Sequence, residues 1–153
     1  MVTVKPTRPW VLVALAAVAG AVAYLLTSNY YADVESSPPR LAPALILLTA
    51  FAEAYTASMT RARLTGRPGT KPINALVVAR LAALAKASSP VGALGFGAYA
   101  GFLGYVARLS TPVANTDTRT AAFGTACSLG LVAAGLLLER ACRAPRPPED
   151  ESP

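Results

Sequence analysis

Apolar residues in this chain gather into long runs separated by short polar stretches, and that alternation predicts four membrane-crossing helices. The runs cover residues 10–26, 41–59, 87–109 and 121–138. Each is close to the roughly 20 residues that cross a hydrocarbon core about 30 Å thick. Pro9 suits the first turn of the opening helix, and Trp10 suits a membrane–water boundary. Ala21-Val22-Ala23 resembles a signal-peptide cleavage site, but the hydrophobic run continues through Tyr24-Leu25-Leu26, so this segment is read as a retained span. Tyr30 and Tyr31 suit the outer interface.

The third segment is longer than a membrane requires. A continuous helix from Ile73 to Leu109 would measure about 55 Å at 1.5 Å per residue. Its charged half, residues 73–88 with Arg80 and Lys86, reads as an amphipathic lead-in at the cytoplasmic interface. Its glycine-rich half, Val91–Val106, reads as the span. Ser88-Ser89-Pro90 has the pattern of a cap followed by a first-turn proline, so a long helix, kinked or restarted near Pro90, is expected. Ser110–Thr120 reads as a polar outer turn, and residues 145–153, rich in proline and acids, as a disordered tail. The fold class that follows is all-α: an integral membrane bundle of four transmembrane helices over residues 1–144.

Composition supports a membrane protein. The chain is 54% apolar and 14% charged, with a mean hydropathy of +0.44, against about 25% charged for soluble domains. The net charge of +6 is concentrated between and after the apolar runs. Lys5 and Arg8 precede the first run. Arg61, Arg63, Arg67 and Lys71 fill the central loop, and Arg140, Arg143 and Arg146 follow the last run. Basic residues resist translocation, so this pattern predicts both termini in the cytoplasm of a multi-pass protein of the cytoplasmic membrane. It also marks Arg61, Arg63, Arg67 and Lys71 as contacts to anionic lipid headgroups of the bilayer, rather than to nucleic acid.

Histidine is absent, so a nucleophile with a histidine base is excluded. Cys127 and Cys142, if joined by one helix, lie about 22 Å apart, too far for a disulfide. No cluster has metal-ligand spacing. No catalytic residue, metal or cofactor is expected, and the chain is read as no enzyme.

Glu53 stands out, about 12 Å along the second span from Arg61. A carboxylate at membrane depth is costly and faces a bundle interior, a cavity or a partner charge. Thr49, Glu53, Thr56 and Thr60 share one helical stripe. Arg80 or Lys86 is the expected partner, giving a candidate polar intramembrane site of Glu53, Thr49, Thr56, Arg80 and Lys86. Small residues form a second theme. Gly97-x-x-x-Gly101, Ala16-x-x-x-Gly20 and the series Ala122, Ala126, Gly130 and Ala134 permit close helix approach. Packing within the bundle is favoured over self-association, and the partners left open are a homo-oligomer or a membrane-protein partner.

Pro6-Thr7-Arg8-Pro9, Arg67-Pro68-Gly69-Thr70-Lys71-Pro72, Ala79–Ser88 and Leu138-Glu139-Arg140-Ala141-Cys142-Arg143 together give the chain a likeness along nearly its whole length. It resembles a family of small actinobacterial membrane proteins classed as a domain of unknown function. The resemblance implies about four spans and a cytoplasmic-membrane location, and it assigns no activity. The expected function is a non-enzymatic accessory or scaffold protein. The alternative is a small transporter or ligand-binding protein using Glu53 with Arg80 or Lys86.

Overall fold

The computed structural model describes residues 8–31, 41–64 and 74–142. These fold into α1 (Pro9–Tyr30), α2 (Leu41–Leu64), α3 (Ala75–Val106) and α4 (Pro112–Cys142), all four long and apolar enough to cross a membrane. Arg67, Lys71 and the tail at 145–153 lie outside the described residues.

Local chemistry sets the helix ends. α1 continues past its apolar run because Thr27, Ser28 and Asn29 donate to the carbonyls of Ala23 and Leu25, satisfying their polar groups on the helix itself. α3 starts where the Asn74 side chain accepts the Leu76 N–H. α4 starts where the Thr111 hydroxyl accepts the Ala114 N–H, with Pro112 at the first helical position. This corrects the outer turn expected over Ser110–Thr120, most of which is the first part of α4. The Thr-Pro pair that caps it was present in the sequence.

α3 is one helix of 32 residues that runs unbroken through Pro90, so it does not restart there. Proline removes one backbone donor from the ladder. The two serines before it do not cap a new helix. They turn inward and donate to the preceding turn, Ser88 to the Leu84 carbonyl and Ser89 to the Ala85 carbonyl.

The packing order is α1–α3–α4–α2. α3 and α4 run antiparallel at the centre, with Gly92 against Ser128 and Val132, Gly124 against Tyr99, and Gly135 against Ser89. α1 runs parallel to α3, placing Ala16 and Gly20 on Gly97 and Gly101. A Cβ on Gly97 would fall 2.1 Å from the Ala16 carbonyl oxygen, and one on Gly101 equally close to the Gly20 oxygen. These positions admit no side chain. α2 runs parallel to α4 through two small clusters: Ala50 with Leu131 and Ala134, then Ala57 with Ala85, Leu138 and Ala141.

These contacts divide α3 at Pro90. Beyond it, α3 is flanked by α1. Before it, Ala85 and Ser88 meet α2. The buried residues are mostly alanine, glycine and serine, whereas Trp10, Val18, Leu48, Phe51 and Leu129 point outward. In water that surface would be unstable. In lipid it is the expected inversion, since close van der Waals packing of small residues, rather than burial of large ones, holds the helices together.

Candidate functional site

Glu53 lies on the packed stripe of α2, between Ala50 and Ala57, and only 3% of its surface is exposed. The Ser88 hydroxyl donates to its Oε1 across the α2–α3 boundary and shares its proton with the Leu84 carbonyl. Oε2 is buried and has no hydrogen-bond partner among the described residues. Thr56 is partly buried beside it and turns its hydroxyl to the Ala52 and Glu53 carbonyls. Thr49 is exposed and donates to the Leu45 carbonyl. Of the expected polar stripe, only Glu53 and Thr60 are fully buried.

Arg80 and Lys86 do not reach Glu53. Both side chains are exposed, and no ion pair links either to it among the described residues. The reason is helical phase. The buried stripe of α3 is Ala82, Ala85, Ser88, Ser89 and Gly92, and at 3.6 residues per turn positions 80 and 86 fall off that face. The partner of Glu53 is therefore Ser88, which the sequence reading assigned to a cap. Arg61 and Arg63 sit on the exposed side of the last turn of α2.

Several buried polar residues escaped the sequence reading. Ser89 and Ser128 are fully buried. Ser128 Oγ lacks a partner among the described residues and lies 2.9 Å from where a Cβ on Gly95 would stand. Glu139 is 2% exposed, inside α4 rather than after it. Gly124, Ser128, Gly135 and Glu139 share one helical stripe with Asp117 and Ala121. That periodicity was available in the sequence.

A second polar cluster lies at the opposite end of the bundle. Asp117, 2% exposed, accepts a 2.9 Å hydrogen bond from the Tyr31 hydroxyl. Tyr31 stands edge-on to Tyr105 at 5.8 Å between ring centroids, and Tyr105 stands edge-on to Tyr24. Arg108 donates to the Tyr24 hydroxyl at 3.2 Å and lies 5.7 Å from the centre of that ring. Burial, then the bond to Asp117 and its charge, push the Tyr31 phenol up to about 12. Tyr30 faces outward as an interfacial residue would; Tyr31 is a packing residue.

Among the described residues, two of the grooves on the bundle surface bear on the site. One, about 620 Å3, lies between α2 and α4 and is lined by Ala54, Ala57, Ser58, Arg61, Leu137 and Ala141, among others. The other, about 370 Å3, is wholly apolar and runs between α1, α3 and α4 past Ala16, Gly20, Gly97 and Val132. Neither is lined by Glu53 or Ser88.

A family described as a protein of unknown function, DUF3180, matches residues 12–146. The chain belongs to that family. The match covers α2, α3, α4 and all but the first three residues of α1 in this DUF3180 protein, including Glu53, Ser88, Asp117 and Glu139; the opening Pro6-Thr7-Arg8-Pro9 lies before it. No curated protein and no solved structure matches the chain. Four apolar helices and a family of unknown function together describe a membrane protein whose activity is not assigned. Among the described residues no group of three potential metal ligands converges. At Glu53 itself, the arrangement provides one carboxyl group and one hydroxyl.

Proposed function

We propose that this DUF3180 protein is a non-enzymatic accessory or scaffold protein of the cytoplasmic membrane. The observation that carries the proposal is the enclosure of Glu53. Its side chain is buried on the packed stripe of α2 with a serine of α3 on one oxygen, and neither of those two grooves is lined by it. A transported solute needs a path to the residue that binds it, whereas a packing contact needs none.

Charge distribution supports both termini in the cytoplasm. The helix directions bring Arg8, Arg61, Arg63 and Arg140 to one end of the bundle, with Arg80 and Lys86 on the same half. Arg108, Arg119 and Asp117 occupy the other. The more basic end is the one expected to stay inside.

The alternative, a small transporter or ligand-binding protein, has one observation in its favour: the Oε2 of Glu53, which has no hydrogen-bond partner among the described residues. Comparing Glu53→Gln with wild type by thermal unfolding in native-like lipid separates the two. In the accessory reading Gln weakens the bond from Ser88 and buries an amide without a partner, so stability falls by about 1–2 kcal/mol. Unchanged or increased stability would mean that the acid is kept at a cost for another purpose, and the accessory reading would fail.

A further inference from the structure

We propose that the groove between the C-terminal halves of α2 and α4 seats one anionic phospholipid, with its phosphate on Arg61 and an acyl chain along the alanine wall. The inference rests only on the membrane reading of the helices, and it holds whichever end faces the cytoplasm.

Three features of the groove carry it. At about 620 Å3 it falls within the roughly 300–1,000 Å3 range of small-molecule sites. Its lining is graded along the helices as a phospholipid is graded along its length. Ala54, Ala57 and Leu137 form the deeper wall, and Ser58 and Arg61 stand nearer the end of α2. Arg61 lies in the last turn of its helix, about 30 Å along it from Leu41, which is about the thickness of a hydrocarbon core and so suits a phosphate layer. A guanidinium carries several N–H donors in a planar fork that matches a phosphate, so it can serve one alongside its other contacts. The Ser58 hydroxyl already donates to the Tyr55 carbonyl, leaving its oxygen to accept from a hydroxylated headgroup such as glycerol.

The origin of the groove is the alanine seam itself. The small side chains Ala57 and Ala141 bring α2 and α4 together around Leu138, but they leave the outward edge of the seam unfilled. The groove along α1 and α3 is a control within the same molecule. It is apolar throughout and offers no charge, so it has no means of distinguishing an anionic lipid from a neutral one.

The test uses the full chain purified in neutral detergent and titrated separately with phosphatidylglycerol, phosphatidylcholine and inorganic phosphate, with Tm as readout. Phosphatidylglycerol is expected to raise Tm saturably, and the other two are expected to leave it unchanged. Arg61→Gln should weaken the apparent affinity for phosphatidylglycerol roughly tenfold, the usual scale for a charge-assisted bond. Ser58→Leu, which fills the groove and keeps the charge, should weaken it as strongly, and it decides the matter if Arg61→Gln does not fold. Arg63→Gln, exposed on the same turn but outside the groove, should bind within about twofold of wild type. An equal shift with phosphatidylcholine, a shift with inorganic phosphate, wild-type binding by Ser58→Leu, or an equal loss in Arg63→Gln would each overturn the seat. None of these results bears on the accessory reading, which the Glu53→Gln comparison tests.

Discussion

On one flank of the central α3–α4 pair, α1 meets α3 through Ala16, Gly20, Gly97 and Gly101. On the other, α2 meets the pair through alanines and one carboxylate, Glu53. The first seam works by volume alone: its backbones touch, and any added atom must push them apart. The second already packs on Ala50 and Ala57, so Glu53 is not needed to fill space. A buried polar bond is weak evidence for stability, because desolvation offsets the attraction. What it adds is register. An apolar alanine seam can slide by a turn at little cost, but a carboxylate that must meet Ser88 cannot. The comparison teaches that close packing determines how near two helices lie, and a buried polar contact determines which residues face each other.

The largest expected effect breaks the first seam. Gly97→Ala should cost about 2–3 kcal/mol or more, the upper range for overpacking, because the obstructing atom is a backbone oxygen that cannot rotate away. Thermal unfolding in lipid measures it, and a loss below about 1 kcal/mol would show that α1 is not seated as described. Next is the second seam. Ser88→Ala leaves both oxygens of Glu53 without a described partner and should cost about 1–3 kcal/mol. In a double-mutant cycle with Glu53→Gln the two losses should be non-additive by at least about 0.5 kcal/mol. Exchanging charges, Glu53→Arg with Arg80→Glu, should rescue nothing, because Arg80 is on the wrong face.

Tyr31→Phe is a smaller change, about 0.5–1.5 kcal/mol for one hydrogen bond, and it carries a pH signature. The folded protein holds this phenol near 12, above its ordinary value of 10.0. Folding therefore favours the protonated form. Its contribution is complete below pH 10 and is lost as pH rises through about 12. Tyr31→Phe should remove this component of alkaline destabilisation, and an unaltered alkaline limb would count against the bond. The smallest effect is Gly130→Ala. A Cβ there meets nothing within 4 Å, so stability should stay within about 1 kcal/mol of wild type or rise slightly, as helical glycine is replaced. A large loss at Gly130 would point to a neighbour against that face.

The four helices, and their approximate positions, were legible in the sequence because a hydrocarbon core rewards apolar length directly. The cost of Glu53 was legible for the same reason. Charge bias along the chain was equally plain. Helix ends were less so: Thr111-Pro112 and Asn74 cap helices through single side-chain bonds, and such signals are easily outweighed by the polar character of the residues that follow. The small-residue motifs at Ala16, Gly20, Gly97 and Gly101 were visible, but not that they meet one another.

Only the tertiary structure decided the partner of Glu53. Charge complementarity suggested Arg80 or Lys86, yet the angular phase of α3 against α2 and α4 turned Ser88 inward and both cations outward. It also decided that Asp117 and Glu139 are buried although they stand near helix ends, and that the half-buried Tyr31 reaches Asp117. Hydropathy along the chain records how much each residue prefers lipid to water. Which polar groups are hidden depends on how four cylinders rotate against one another, and that rotation is set by many weak contacts between residues far apart in sequence.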